Sequence, residues 1–330
     1  MTPLAPILEA FFTKRLLAER RASPATIASY RTSFCLLLRF VEERSGKSPS
    51  DLDLADLDAP VIGAFLKHLE TARGNSARSR NARLAAIRSL FRYAALRAPD
   101  DAAVIQRVLA MSGPRTTQSL TTFLTKSEVD VVLAEPNLET WTGQRDYALL
   151  AVAVQTGLRL SELTGLRRGD VQFGPGAHLR CTGKGRKERC TPLTTSSAAV
   201  VQRWMDRRPE GSITDPLFPS NRGGRLSADA VQRIVAKHSS GAAHKCPSLV
   251  GKHVSPNTLR HTAAMRLLEV GVDISVIALW LGHERIETTQ MYLHADLSIK
   301  ERALARTTPV DGRAGRYRPP DRLLSFLEAL

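Results

Sequence analysis

Amphipathic helices fill the first 110 residues of the chain, and this constrains the fold more than any other feature of the sequence. Apolar residues recur in each segment at the three- and four-residue spacing of a helix. One segment begins at Ser23-Pro24, a capping residue followed by a first-turn proline, and ends at Gly46. Asp58 and Ser76 begin two more. The pattern predicts four or five helices here and no strand.

The remainder of the chain adds one β-hairpin to further helices. Residues 178–193 form two short strand-like runs around a turn that contains Gly183 and Gly185. Gly, Pro and polar residues without apolar periodicity predict a linker over residues 111–122. We therefore predict a mainly α protein with a small β-sheet, of the α+β class. Its predicted parts are a helical domain over 1–110, a mixed α/β domain over 123–310 and a tail over 311–330.

Basic residues outnumber acidic ones, with 47 Lys and Arg against 32 Asp and Glu and a net charge of +15. Such an excess favours a polyanionic partner, nucleic acid rather than a membrane; a basic protein without such a partner is the alternative. No apolar run approaches the ~18 residues of a membrane span. The N-terminus also lacks a basic segment followed by an apolar one. We therefore expect a cytoplasmic protein.

Cysteines and histidines give no clear metal or disulfide pattern. Cys181 and Cys190 could face each other across the hairpin and form a bridge, although four scattered cysteines are not a disulfide framework. Four residues whose side chains can bind zinc occur at irregular spacing: His238, His244, Cys246 and His253. This spacing does not match a zinc-ligand pattern, so we expect no metal and no other cofactor.

Arginines crowd the loop after the third predicted helix and the fourth helix itself: Arg73, Arg78, Arg80, Arg83, Arg88 and Arg92. Guanidinium groups there would bind DNA phosphates through bidentate hydrogen bonds. The alternative is a solvated helix face, which is usual for a run of charges. We favour DNA binding because the other half of the chain contains residues suited to phosphate chemistry.

Two basic residues in that half are placed to meet a phosphate. Arg159 follows a helix-ending glycine at the start of a short helix, and Glu162 three residues later could pair with it. Alone, this would more often be a structural ion pair. Lys184 lies between two glycines at the hairpin tip, from which its ammonium could reach a phosphate. The Walker A pattern is absent, so a nucleotide-hydrolysing enzyme is not supported.

A later helix begins with Ser255 as its cap and Pro256 in the first turn. Asn257, Arg260 and His261 then lie at positions i, i+3 and i+4, on one face near the helix N-terminus. Free backbone amides and partial positive charge at that end suit an anion.

A fourth segment contains His283, directly after a helix-ending glycine, and Tyr292, whose hydroxyl can act as a nucleophile. Together the four segments resemble the tyrosine recombinases of the phage-integrase family, in the style of Xer-like integrases. The matching segments are residues 157–163, 183–189 and 255–262, and 281–283 with Tyr292. Residues 23–30 also resemble the start of the family's N-terminal domain, and the resemblance covers about residues 5 to 300.

The resemblance implies a helical SAM-like core-binding domain that clamps DNA and a catalytic domain of the DNA breaking-rejoining type. It implies a site-specific recombinase or integrase that cuts and rejoins double-stranded DNA through a 3′-phosphotyrosyl intermediate, without metal or ATP. The reaction would take place in a synaptic homotetramer or in an assembly with related recombinases. Residues 319–330 would dock on a neighbouring protomer or pack on their own domain.

Roles follow from the same resemblance. Tyr292 would attack the phosphate, and Lys184 would protonate the leaving 5′-oxygen. The groups that would stabilise the charge of the transition state are Arg159, Arg260 and His283. Glu162 would orient Arg159. Arg186 and Lys187 in the hairpin would contact DNA.

One position departs from the family pattern, because the chain has Asn257 where the family usually has histidine. An amide can donate a hydrogen bond to a phosphate oxygen but cannot carry a proton at neutral pH. His261 lies one turn further along the same face. Two interpretations are open: it replaces the missing histidine in proton transfer, or it packs in the core, which is the more usual role of a histidine.

Two other functions stay open on the sequence. Asn257 is compatible with a DNA-binding accessory protein whose active site is weakened. A type IB topoisomerase-like enzyme would share the chemistry and relax supercoils without exchanging partners. The helical clamp and the Xer-like segments favour recombination.

Overall fold

Helices with locally encoded ends build the first part of the molecule. A computed structural model describes residues 2–114, 121–183, 187–284, 286, 288–290 and 292. Its first helices are α1 (Leu4–Ala10), which continues as a π-helix over Phe11–Glu19, α2 (Pro24–Ser45), α3 (Ala59–Thr71), α4 (Ala77–Ala94) and α5 (Ala102–Ala110). Short 3-10 turns lie at Pro49–Asp51, Leu54–Leu57 and Pro99–Asp101.

The predicted capping residues begin these helices. The hydroxyl of Ser23 accepts from the backbone N–H of Thr26, and Gly46 ends α2 in the left-handed conformation with φ 71°. Asp58 and Ser76 cap α3 and α4 in the same way. The first helix begins at Leu4, and its second half is π-helical, which the apolar spacing did not predict.

An aromatic cluster forms part of the core of this unit. Phe11 is buried and packs against Tyr30, Phe34 and Tyr93 with ring centroids 5.7 to 6.2 Å apart. The guanidinium of Arg97 lies 3.8 Å from the centroid of the Tyr93 ring. Apolar residues of all five helices complete the core.

The second part of the molecule combines helices with a three-stranded sheet. Its helices are α6 (Lys126–Ala134), α7 (Trp141–Thr156), α8 (Leu160–Gly165), α9 (Thr195–Asp206), α10 (Ala228–Ala243), α11 (Pro256–Glu269) and α12 (Ile274–Leu281), with 3-10 turns at Arg168–Asp170 and Pro247–Leu249. The strands β1 (Val171–Gln172), β2 (His178–Thr182) and β3 (Glu188–Pro192) are antiparallel in the order β1-β2-β3. The mainly α fold with a small sheet is confirmed.

Helix α7 is the centre of this unit, since it packs against α6, α9 and α11. Most of its residues from Ala148 to Val154 are buried, and Gly157 ends it. Thr125 and Glu128 form a capping box at the start of α6. Helix α11 packs in turn against α12.

The hairpin register does not support a bridge between Cys181 and Cys190, which the sequence left open. Cys181 pairs with Arg189, and Cys190 pairs with Arg180. Because successive side chains of a strand point to opposite faces, the two cysteines lie on opposite faces of the hairpin. Cys181 is buried, Cys190 is exposed, and both are free thiols.

Two compact units, Met1–Gln118 and Ser119–Leu330, make up the chain. The more detailed domain bounds at residues 110, 122 and 310 stay predictions. Of the predicted linker, residues 115–120 lie outside the described residues, as does the whole tail over 311–330. None of the described helices has the combination of length and apolar content that a membrane crossing requires.

Candidate active site

Three of the four predicted segments meet at one cavity of about 380 Å³, namely residues 157–163, residues 255–262, and residues 281–283 with Tyr292. Of the predicted site residues, those that line it are Arg159, Asn257, Arg260, His261, His283 and Tyr292. Lys184 and Arg186, which the sequence predicts at the hairpin tip, lie outside the described residues.

Arg159 is held in place from two sides. Its backbone N–H donates to Glu162 Oε2 at 2.8 Å, and its Nη1 donates to Glu162 Oε1 at 3.0 Å. Its Nη2 donates to the carbonyl oxygen of Gly282 at 2.5 Å, which ties it to the loop before His283. The predicted Arg159–Glu162 pair is therefore confirmed as a contact.

Gly157 allows this segment to approach α11 and α12. Its φ of 63° is left-handed, and a Cβ at this position would lie 2.7 Å from Leu281 and 3.0 Å from Ala263. Any side chain would therefore displace the turn that sets the position of Arg159.

Arg189 is a member of the site that the sequence did not single out. It donates to Glu162 Oε1 at 2.7 Å and to Oε2 at 2.8 Å, a bidentate pair. Its Nε donates to the carbonyl oxygen of Trp280 at 3.2 Å. The strand β3 is thereby connected through one carboxylate to Arg159. Two clues to this role were its place in the hairpin segment and the period-2 alternation, which turns Arg189 inward.

Glu162 is ionised and enclosed, with its side chain 1% exposed. Burial raises its pKa, but hydrogen bonds from Arg189 and from the backbone of Arg159, together with their charges, outweigh burial and lower the pKa below its usual value. The carboxylate is thus negatively charged at neutral pH.

Substitution Glu162→Gln is expected to destabilise the protein by about 3 kcal/mol at neutral pH, because it leaves two guanidinium groups without their buried counter-charge. The pKa of Glu162 in the folded protein lies below the unfolded value of about 4.3. The carboxylate therefore stabilises the folded state fully above that pH, and this stabilisation is lost as the pH falls through the folded-state pKa. Denaturant unfolding at neutral and successively lower pH should therefore show the gap to wild type narrowing in acid. The exposed Glu210→Gln is the control, and an equal effect there would contradict the assignment.

Arg260 is almost completely buried, at 5% exposure, on the first turns of α11. Its Nη1 donates to the carbonyl oxygen of Gly157 at 2.6 Å, and its Nη2 donates to that of Leu281 at 2.8 Å. Burial, and then the charge of Arg159, lower its pKa to about 10, so it stays positively charged at neutral pH. Two fixed positive charges therefore face the same cavity.

His283 is oriented by the helical turn that follows it. Its Nδ1 lies 2.7 Å from the Oγ1 of Thr289, which is fully buried. Burial, followed by the charges of Arg260 and Arg159, lowers its pKa to about 4, so the ring is neutral at neutral pH. With Nδ1 engaged, Nε2 is the nitrogen that can serve a ligand in the cavity.

Tyr292 is 1% exposed, and its ring packs with residues of α11 and α12. Its hydroxyl lies 3.0 Å from Nδ1 of His261. Burial raises the pKa of Tyr292, and the charges of Arg260 and Arg159 oppose that shift.

His261 is not simply a core residue, the more usual interpretation of such a histidine. It is only part-buried, contacts the Tyr292 hydroxyl through Nδ1 and lies 2.7 Å from the Asn257 amide nitrogen through Nε2. Burial, and then Arg260, lower its pKa to about 4. Asn257 itself is exposed at the cavity rim.

The arginines predicted to bind DNA have different surroundings. Arg73 and Arg78 are exposed, whereas Arg80, Arg83 and Arg88 are part-buried along α4. Arg80 Nε lies 3.4 Å from a Glu70 carboxylate oxygen, and Arg83 donates to the Ser33 hydroxyl at 3.1 Å. Lys187, in the hairpin, is exposed.

No metal site occurs within the part of the chain that the structure describes, in the sense of three or more His, Cys, Asp or Glu side chains grouped to hold an ion. His238 is buried and its Nε2 lies 3.0 Å from Asp146 Oδ2. Arg145 donates to the other oxygen of the same carboxylate. This histidine thus has a structural partner.

Comparison with protein families matches both units of the chain. The model described as the phage integrase family covers residues 122–298, and the phage integrase N-terminal SAM-like domain covers residues 10–98. The y4rC protein of Sinorhizobium fredii, whose name assigns it as an integrase/recombinase, is 56% identical over 99% of this chain and 98% of its own length. Tyrosine recombinase XerC of Pelobacter propionicus is 36% identical over 90% of this chain and 93% of its own length.

Solved structures show the same fold at low sequence identity. The XerH site-specific recombinase bound to its difH substrate, a post-cleavage complex, superposes with a TM-score of 0.69 at 22% identity over 87% of this chain and 81% of that one. The Tn1549 transposon integrase in complex with circular intermediate DNA gives a TM-score of 0.68 at 17% identity over 93% of this chain and 100% of that one. On these matches to both of its units, the chain belongs to the phage integrase family of tyrosine recombinases.

Proposed function

We propose that this chain is a site-specific recombinase that cuts and rejoins double-stranded DNA through a 3′-phosphotyrosyl intermediate. The observation that carries the proposal is the convergence of Arg159, Arg260, His283 and Tyr292 on one cavity. Two fixed cations beside a buried tyrosine suit attack on a phosphodiester, whose transition state carries more negative charge than the ground state.

The four converging residues and Lys184 have separate parts in the proposed reaction. The Tyr292 oxygen attacks the phosphorus, and the guanidinium groups of Arg159 and Arg260 donate to the nonbridging oxygens, with His283 assisting. Lys184 protonates the leaving 5′-oxygen from the hairpin tip. The phosphotyrosyl bond conserves the energy of the broken bond, so rejoining to another 5′-hydroxyl requires neither ATP nor a metal.

Double-stranded DNA is the proposed partner, supported by the net charge of +15 and by the DNA named in the solved relatives. The exposed Arg73, Arg78 and Lys187 are proposed to bind phosphates, as are the part-buried Arg80, Arg83 and Arg88. Affinity should fall steeply with salt because each neutralised phosphate releases counterions. The working assembly is proposed to be a tetramer of this chain or a mixed assembly with related recombinases.

Covalent capture tests the proposal without knowledge of the target sequence. The full chain is incubated with a library of duplexes that carry a randomised core and a nick, which lets the short cleaved strand leave and traps the adduct. DNA that stays attached after denaturation is sequenced and resynthesised as a defined probe. A sequence-dependent adduct is expected. DNA binding without any adduct would instead support an accessory protein, and relaxation of supercoiled plasmid without strand exchange would support a topoisomerase.

The tail is tested by deletion of residues 319–330, which lie outside the described residues. If the tail docks on a neighbouring protomer, the truncated chain should keep its melting temperature and adduct formation but lose paired-site complexes on native gels. A lower melting temperature with pairing retained would place the tail on its own domain.

Substitution Asn257→His restores the residue usual in the family and is expected to retain or raise the cleavage rate. The amide can donate to a phosphate, and an imidazole can donate as well and also carry a proton. Single-turnover adduct formation on the captured duplex measures the rate, with DNA affinity as the control. A large loss of cleavage would contradict the view that position 257 is the weakened member of the site.

A further inference from the structure

Three side chains form a hydrogen-bonded series that ends at the proposed nucleophile. Helix α11 places Asn257 and His261 one turn apart, with Asn257 Nδ2 2.7 Å from His261 Nε2. On its other side the same imidazole places Nδ1 3.0 Å from the Tyr292 hydroxyl oxygen, with the two rings edge to face. Within the described residues, His261 is the hydrogen-bond partner of the Tyr292 hydroxyl.

We propose that His261 takes the phenolic proton of Tyr292 in this chain, and that Asn257 determines which nitrogen of His261 is available to take it. The inference rests on the proposed function, because it concerns the first step of DNA cleavage. It assigns to His261 a direct catalytic contact rather than a supporting position.

The tautomer of His261 follows from the orientation of the Asn257 amide. When the amide N–H donates to Nε2, the ring proton lies on Nδ1, which then donates to the Tyr292 oxygen and cannot accept its proton. A half-turn of the amide presents Oδ1 instead, which accepts from Nε2–H and leaves Nδ1 able to accept. Asn257 is exposed at the cavity rim, so both orientations are open to it.

A phosphate in the cavity favours the second orientation. Phosphate oxygens are hydrogen-bond acceptors, so the amide N–H of Asn257 would turn outward to one of them and its Oδ1 would face His261. Arrival of DNA would thereby convert His261 from a donor to an acceptor toward Tyr292. The nucleophile would be activated only when its target is present.

Proton transfer and phosphoryl transfer are coupled in the proposed cleavage step. The O–H bond of Tyr292 breaks as its oxygen bonds to phosphorus, and the proton passes to Nδ1 of His261. The bond between phosphorus and the 5′-oxygen breaks, and that oxygen takes a proton from Lys184. During rejoining, Lys184 recovers its proton from the attacking 5′-hydroxyl, and His261 returns its proton to the departing Tyr292 oxygen.

Charges around His261 explain why the transfer needs the phosphate. The titratable groups around the cavity are Arg260 on the same helix and Arg159, His283 and Tyr292 on the other walls. The two guanidinium groups oppose a positive imidazole, and burial and Arg260 lower its pKa to about 4. The negative charge that builds on the phosphate offsets that repulsion.

Single-turnover adduct formation on the captured duplex tests the proposal with His261→Gln and His261→Ala. For wild type, the rate is expected to stay flat from about pH 6 to about pH 9, since the base is already neutral. For both variants we expect a rate about 10²-fold lower at neutral pH that rises about tenfold per pH unit. Without the imidazole, the Tyr292 hydroxyl must lose its proton to water or hydroxide before it attacks. Added imidazole should restore part of the His261→Ala rate. The exposed His253→Gln is the matched control.

Two outcomes would overturn the assignment of His261. One is a rate and pH profile of His261→Gln equal to those of wild type. The other is a lower rate with a flat pH profile in both variants and no rescue of His261→Ala by imidazole, which would indicate that His261 only positions Tyr292. The proposed role of Asn257 in setting the tautomer of His261 is tested by Asn257→Ala. This variant should cleave about tenfold more slowly with an unchanged pH profile. A wild-type rate would show that Asn257 does not have this role.

If His261→Ala does not fold, His261→Gln decides, since it keeps a polar side chain of similar reach. Absence of any wild-type adduct would instead contradict the proposed function itself.

Discussion

Tyr292→Phe is expected to abolish covalent attachment to DNA while leaving DNA binding unchanged. The substitution removes only the oxygen that would bond to phosphorus, and no other described hydroxyl contacts His261 in the cavity. The buried ring keeps its packing with α11 and α12, so the cost in stability should be about 1 kcal/mol from the lost hydrogen bond.

Denaturing gels measure the adduct, and mobility shift on the same captured duplex measures binding. Tyr147→Phe is the control, because Tyr147 lies at a different cavity, beside α9. This variant should form the adduct at the wild-type rate. Adduct formation by the Tyr292→Phe chain would show that another residue is the nucleophile.

Arg260→Lys is expected to lower the cleavage rate about 10³-fold, with a much smaller effect on DNA affinity. The guanidinium of Arg260 spans the carbonyl oxygens of Gly157 and Leu281 and still faces the cavity. A lysine ammonium is a point charge that cannot make both contacts in the same plane. Burial already lowers the pKa of Arg260 to about 10, and a lysine, with its lower intrinsic pKa, would lose its charge more readily there.

Arg266→Lys on the same helix is the matched control, since Arg266 is exposed and faces another cavity. Single-turnover rates and melting temperatures of both variants separate catalysis from stability. Equal rates for Arg260→Lys and wild type would remove Arg260 from the reaction.

Helix ends could be predicted because their signals are local. The cap at Ser23, the stop at Gly46 and the capping box of Thr125 with Glu128 each depend on residues within one turn of each other. The four site segments were found by resemblance to a family. The convergence of three of them on one cavity is a property of the fold.

Long-range contacts could not be predicted. The bidentate pair of Arg189 with Glu162 joins residues 27 positions apart, and the contact between His261 and Tyr292 joins residues 31 apart. Neither spacing has a sequence signal, because both depend on how the hairpin and α11 pack. Whether the hairpin cysteines could form a bridge was likewise open on the sequence, because the answer depends on the strand register, which sets Cys181 opposite Arg189. The role of Lys184 stays a prediction.

The carbonyl anchors of the two arginines also determine when the site can exist. The contact from Arg159 to Gly282 closes 123 residues of chain, and that from Arg260 to Gly157 closes 103. Contacts of such separation form late in folding, since the loop-closure entropy must be overcome first. During synthesis the guanidinium groups therefore stay unfixed until α12 has emerged from the ribosome. A nascent or truncated chain can carry every arginine of the site and still be unable to cleave DNA.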